Sequence, residues 1–208
     1  MQIAVLLYPD MTALDAIGPY EILSRLPGAK LTFVAREAGP VRTDTGFLRL
    51  EAEAGLDELS AAEILVIPGG PGDEAVRADP RVLEWVRAVH ETTRFTTSVC
   101  TGSLILGAAG VLAGLPATTH WTQLETLRAL GATPSPERVV EAGKVITAAG
   151  VSAGIDMALR LTQILVGDDF AQGIQLGIEY DPQPPFDSGS PAKAPTHIVD
   201  LVRATMAR

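Results

Sequence analysis

The chain has 208 residues, 47% hydrophobic and 20% charged, which supplies a sizeable core and excludes a disordered polymer. Its formal net charge is -9 and no basic stripe is visible, which argues against nucleic acid as a partner. A single cysteine, Cys100, excludes an internal disulfide and a cysteine-rich zinc site.

The first residues lack a basic segment and a cleavage site, so they read as a strand rather than a leader, and a cytoplasmic location is the default expectation. Ile3 to Tyr8 is a continuous apolar run, the pattern of a parallel strand covered on both faces. A loop, Pro9 to Thr12, leads to a predicted helix from Asp15 to Leu26, ended by Pro27-Gly28. Leu31 to Ala35 reads as a second strand. Val41 to Glu53 reads as a hairpin turning at Asp44-Thr45-Gly46, and Leu56 to Ser60 as a short helical piece. Glu63 to Ile67 is a buried strand that runs directly into Pro68-Gly69-Gly70-Pro71-Gly72. Asp79-Pro80 opens a helix, with Asp as cap and Pro in the first turn, and Leu83, Val86 and Val89 form its apolar stripe.

Phe95 to Val99 is β-branched and aromatic, a strand; Thr101 to Ala109 is small and apolar, a helix. Ala117 to Thr119 reads as extended, and Gln123 to Leu130 as a helix stopped by Gly131. Arg138 to Glu141 and Lys144 to Ala148 flank Ala142-Gly143 as a hairpin. Helices are expected from Ser152 to Val166 and Asp168 to Tyr180. An irregular segment rich in Pro, Ser and Gly follows, Asp181 to Pro195, then a short helix from Thr196 to Ala207. Phe95 to Leu124 carries no charge, but its glycines and Pro116 break it into strand, helix and strand rather than a membrane span. Strands alternating with helices predict one domain over 1–208: an α/β, doubly wound, mostly parallel sheet with helices on both faces. Ligands bind such sheets at the carboxyl ends of the strands.

Three features fall at such ends. Cys100 sits where a strand turns sharply into a helix, the geometry of a nucleophile elbow. The helix N-terminus beside it favours a thiolate, so its pKa is expected below the free value of about 8.5. The alternative is a buried structural cysteine. The Gly69-Gly70 turn ends a second strand. Asp15 follows a third; alone it would read as a helix cap. If the three strands are neighbours, Cys100 is the nucleophile and Asp15 shuttles a proton beside it. The N–H groups of Gly70, from the glycine turn that begins at Gly69, and of Thr101 then form an oxyanion-hole pair. His120 lies past Thr118-Thr119, within possible reach of the pocket. His90 reads as a surface residue and His197 as a structural one. No spacing suggests a metal, and the Lys and Ser/Thr of a phosphate loop are missing from Gly-Gly-Pro-Gly, so no cofactor is expected.

These residues resemble the ThiJ/PfpI superfamily, related to class I glutamine amidotransferase domains and flavodoxin-like in fold. The matching pieces are Leu14-Asp15-Ala-Ile-Gly18-Pro19, Ile67-Pro68-Gly69-Gly70 and Ser98-Val99-Cys100-Thr101-Gly102-Ser103. Ala117-Thr-Thr-His-Trp121, Ala149 to Asp156 and Glu179 to Phe186 also match, so the resemblance spans nearly the whole chain. It is nearest the isocyanide hydratase branch: the acid is Asp15 where most members have Glu, and Thr101 stands where peptidase-like members have His. Some pieces also occur in sensor domains of AraC-type regulators, but the chain reads as too short and too acidic for their DNA-binding role. The resemblance implies hydration of a small-molecule isocyanide to an N-formamide through a thioimidate on Cys100. It gives Thr101 the task of holding Asp15 or a water, places Val151 near the nucleophile, and makes a homodimer the default. A redox sensor without turnover, and a glyoxalase or amidase activity at the same site, are the alternatives.

Overall fold

Apolar runs without polar alternation need cover on both faces, and a central sheet wrapped by helices supplies it. The computed structural model describes residues 1–206. In chain order the elements are β1 (Gln2–Leu6), α1 (Ala13–Leu23), β2 (Lys30–Ala35), β3 (Gly39–Arg42), β4 (Arg49–Ala52), β5 (Ala54–Gly55), β6 (Ile64–Ile67), α2 (Asp73–Arg77), α3 (Pro80–Thr92) and β7 (Phe95–Val99). There follow α4 (Gly102–Ala108), β8 (Pro116–Ala117), α5 (Leu124–Ala129), β9 (Thr133–Pro134), β10 (Val139–Ala142), β11 (Val145–Ala148), α6 (Ala153–Val166), α7 (Asp168–Gly177) and α8 (Thr196–Met206).

Seven strands form the main sheet in the order β10-β11-β7-β6-β1-β2-β5. All pairs are parallel except β10 with β11, the predicted hairpin, which turns at Gly143 with φ +62°. Helices α1 and α6 pack together on one face, and α3 with α4 on the other. The second predicted hairpin exists as β3–β4, but it forms its own two-stranded sheet, and the chain then returns to the main sheet as β5. The last predicted helix ran to Ala207, which lies outside the described residues. Among the described residues no helix is long and apolar enough to cross a membrane.

Two of the three histidine expectations change. His90 is half-buried, not on the surface: its Nδ1 lies 2.8 Å from Thr96 Oγ1, because the end of α3 folds back over the start of β7. His197 is exposed on α8 rather than packed into the core.

The sheet order makes β1, β6 and β7 immediate neighbours, so the three strand ends converge. The convergence depends on backbones approaching more closely than side chains allow. A Cβ on Gly102, the first residue of α4, would lie 2.1 Å from the carbonyl oxygen of Ile67 at the end of β6. Only a glycine lets α4 start against that strand. Gly102→Ala is expected to cost about 2–3 kcal/mol through forced backbone displacement. A lowered midpoint in urea unfolding would show it; an unchanged midpoint would mean that α4 tolerates the shift.

Candidate active site

The β-branched strand β7 stops where Thr101-Gly102-Ser103 begins α4, and Cys100 makes the turn between them. It adopts φ +56°, a left-handed conformation rare for a residue with a Cβ. Hydrogen bonds hold it there. Its N–H donates to the carbonyls of Ala148 (3.1 Å) and Ala149 (2.9 Å) at the end of β11. Its own carbonyl accepts from Thr119 Oγ1 at 3.0 Å and Ser103 Oγ at 3.2 Å. The side chain is 5% exposed.

Asp15 is not the cap of α1. Thr12 occupies that position, and its hydroxyl donates instead to Asp44 Oδ2 at 2.7 Å. Asp15 is the third residue of the helix and is fully buried. Its Oδ2 accepts the Gly69 N–H at 3.0 Å. Its Oδ1, also buried, makes no well-directed hydrogen bond with a protein group. The carboxyl nevertheless faces the Cys100 thiol closely enough to interact with its proton.

The Pro-Gly-Gly turn brings its backbone against both residues. A Cβ on Gly69 would lie 2.4 Å from the Thr101 nitrogen and 2.8 Å from Cys100 Cβ, so glycine is required there. Tyr8 braces the turn from below, its hydroxyl donating to the Pro68 carbonyl at 2.9 Å. The expected oxyanion pair is corrected here. The Gly70 N–H is already taken by Thr101 Oγ1 at 2.9 Å, and that hydroxyl donates back to the Gly70 carbonyl at 3.2 Å. Thr101 therefore holds the glycine turn rather than Asp15. The backbone N–H groups that favour a charged sulfur are those of Thr101 and Val151. Val151 presents its N–H from a turn at φ +23°, a strained conformation for a β-branched residue.

His120 is buried, 9% exposed, with Nδ1 2.8 Å from Thr122 Oγ1. Its ring edge lies against Gly150, where a Cβ would meet Cδ2 at 2.8 Å. It thus borders the turn that carries Val151, and burial lowers its pKa, which keeps the ring neutral. Among the described residues no cluster of three or more His, Cys, Asp or Glu side chains could hold a metal ion. An open cleft of about 490 Å³, lined by Glu84, Arg87, His90, Glu91 and Val111 among others, shares no residue with this site.

Electrostatics overturn the expectation of a low thiol pKa. Burial pushes Cys100 up to about 12, and the Asp15 carboxylate adds to the rise; the Val151 and Thr101 N–H groups oppose it and lose. Burial likewise raises Asp15 to about 7, against the Gly69 N–H and the Cys100 thiol, which lower it. No cation is among the groups acting on either. The resting sulfur near neutrality is a thiol, beside a carboxyl that holds its proton far more tightly than an exposed one.

Sequence reasoning placed Asp15, Gly69, Gly70, Cys100, Thr101 and Val151 in one region, and the structure gathers them there. It missed Thr119, Ser103 and Tyr8. A run of Thr at the end of an apolar segment was the only available signal for Thr119, since buried hydroxyls need partners.

Residues 1–164 match the model of the DJ-1/PfpI family. The chain belongs to that family. It is 45% identical over 203 residues to the isonitrile hydratase of Pseudomonas putida, covering 98% of this chain and 89% of that protein. A ThiJ/PfpI family protein from Pseudomonas syringae superposes with a TM-score of 0.96 at 40% identity, covering 99% of this chain and 86% of the other. Drosophila melanogaster DJ-1beta, at 20% identity and a TM-score of 0.77 over 86% of this chain and 97% of its own, shares the fold.

In this DJ-1/PfpI chain the buried acid carries a testable stability cost. The folded pKa of Asp15 lies above its ordinary value of 3.8, so the folded state holds the proton more tightly than the unfolded chain. The contribution of Asp15 to stability is therefore most favourable below about pH 4 and is lost as pH rises through about 7, by up to about 4 kcal/mol. Asp15→Asn removes the titration. Its melting temperature should exceed wild type by a margin that grows between pH 5 and pH 8; a constant margin would show that Asp15 does not titrate in that window.

Proposed function

We propose that this chain is an isocyanide hydratase, converting R–N≡C and water to an N-substituted formamide. The observation that carries the reading is a buried thiol facing a buried carboxyl with one oxygen anchored and the other unpartnered. Isonitrile is another word for isocyanide, so the relative from Pseudomonas putida supports the same reaction.

In this reading Cys100 is the nucleophile at the strand-to-helix elbow and Asp15 the general acid and base. The Asp15 carboxylate takes the thiol proton as sulfur bonds the terminal isocyanide carbon. That carbon, now carbanion-like, receives the same proton from Asp15, giving a thioimidate, R–N=CH–S–Cys100. Water then adds to the thioimidate carbon while Asp15 takes one of its protons and passes it to nitrogen. The C–S bond breaks, the C=O bond forms, and the remaining hydroxyl proton returns to the Cys100–Asp15 pair. The Thr101 and Val151 N–H groups steady negative charge on sulfur at both ends of the cycle. Thr101 through its hydroxyl, with Gly69 and Gly70, keeps the glycine turn against Asp15. His120 forms part of the wall.

The narrowness of the site favours this substrate class. A thiol 5% exposed beside a fully buried carboxyl admits the bare, linear end of an isocyanide more readily than a carbonyl flanked by two substituents. That weighs against amidase chemistry. A thiol raised to about 12 also weighs against a redox sensor, because the thiolate is the form that oxidises. A homodimer belongs to this reading too: exposed Phe47, Leu176, Phe186 and Leu201 are surfaces that a second copy would cover.

Cys100→Ala and Cys100→Ser should abolish formamide production from an aryl isocyanide, and rapid mixing should trap an adduct on Cys100 by mass spectrometry. Turnover in either variant would remove the nucleophile assignment. Asp15→Asn should fold and lose at least about 100-fold in turnover, the usual scale for a positioned acid–base group. Brief exposure to dilute peroxide should leave the intact mass of the wild type unchanged; rapid gain of oxygen on Cys100 would instead support the sensor.

A further inference from the structure

We propose that Thr119 and Ser103 are positioning residues that act on the sulfur through the peptide group joining Cys100 to Thr101. This rests on the reading of Cys100 as the nucleophile.

A trans peptide is a rigid plane in which C=O and N–H point in opposite directions. The carbonyl of Cys100 and the N–H of Thr101 belong to one such plane. The N–H stands at the start of α4, on the residue that directly follows the one carrying the sulfur, where it favours a charged sulfur. The carbonyl is gripped by two hydroxyls, Thr119 Oγ1 at 3.0 Å and Ser103 Oγ at 3.2 Å. Fixing the oxygen therefore fixes the aim of the N–H. The grip matters because Cys100 is held at φ +56°, where a residue with a Cβ relaxes if released.

The two hydroxyls come from different places. Ser103 is in the first turn of α4 and moves with it. Thr119 comes from the extended segment after β8, 19 residues on along the chain. That segment is anchored independently: the Thr118 N–H donates to Thr147 Oγ1 on β11 at 2.9 Å. The same strand ends at Ala148, whose carbonyl, with that of Ala149, takes the Cys100 N–H. Strand β11 thus governs both sides of Cys100, directly through its N–H and indirectly, by way of Thr118 and Thr119, through its carbonyl. Both hydroxyls are buried, 1% exposed for Thr119 and 0% for Ser103, so solvent does not replace them.

The test uses Thr119→Val, which keeps shape and removes the hydroxyl, Thr119→Ser, which keeps the hydroxyl, and Ser103→Ala. With the aim of the Thr101 N–H lost, the thiolate is less stabilised. Alkylation of Cys100 by a small neutral reagent should then slow roughly 10-fold in Thr119→Val, with its pH profile displaced upward. Thr119→Ser should alkylate within about twofold of wild type, and Ser103→Ala should lie between. With an aryl isocyanide, kcat should fall in parallel and KM stay within about twofold. The alkylation arm does not depend on hydratase activity, so a wild type inactive on isocyanides would sink the proposed function and leave this inference under test. Wild-type alkylation rate and pH profile in Thr119→Val would overturn it. So would an equal loss in Thr119→Ser, which would point to packing rather than the hydroxyl.

Discussion

The structure turns on two acids buried side by side. Cys100 and Asp15 are buried together, and burial is the main reason that neither ionises at its ordinary pH. Burial alone would make both neutral. What makes the pair chemically useful is asymmetry. Asp15 has one oxygen tied to the Gly69 N–H and one untied, and it gains charge near neutrality, whereas the thiol does not. In the proposed reaction the carboxylate is then the base and the thiol the source of the proton. The cost of charging a buried carboxyl is borne by the rest of the core, which buries β1, β6 and β7 almost completely.

That pairing exists because three strand ends meet. Asp15 arrives on the helix after β1, Gly69 at the end of β6 and Cys100 at the end of β7, and those strands are consecutive in the sheet. Adjacent strands lie about 4.8 Å apart, too close for side chains to fill the gap between successive turns. The chain answers with glycine at Gly69 and Gly102, where any Cβ would collide with neighbouring backbone. The glycine turn is consequently not a flexible loop. It is a spacer whose missing side chains let backbone donors reach a carboxylate and a hydroxyl.

The fold and the meeting of Asp15 with Cys100 at one end of the sheet were legible in the sequence because they follow from local patterns. Unbroken apolar runs marked the buried strands, and the change from β-branched to small residues at Cys100 marked the turn. Asp15 stood out as a carboxylate beside an apolar strand end. What was not legible depends on three-dimensional competition. Gly70 looked like a free donor, yet Thr101 Oγ1 takes its N–H. The helix N-terminus at Cys100 suggested a low thiol pKa, but α4 is short, and full burial with a carboxylate neighbour outweighs two N–H groups. Thr119 acts across 19 residues of chain, a link that no local pattern encodes. His90 followed an amphipathic stripe that places it outward, until Thr96 draws its ring in.

The proton inventory separates the chemistries that a cysteine at such a turn can perform. Amide cleavage needs a proton delivered to a leaving nitrogen, usually by a histidine that has just taken it from the thiol. Position 101 holds a threonine engaged with Gly70, and His120 is tied to Thr122 through Nδ1. Isocyanide hydration asks for something else. The carbon that sulfur attacks is itself the atom that must be protonated next, so donor and acceptor lie within one bond of the sulfur. A single carboxyl alongside the thiol satisfies both transfers without moving. A threonine at position 101, a defect for a peptidase, is a fit for a reaction whose proton travels out and back along the same short path.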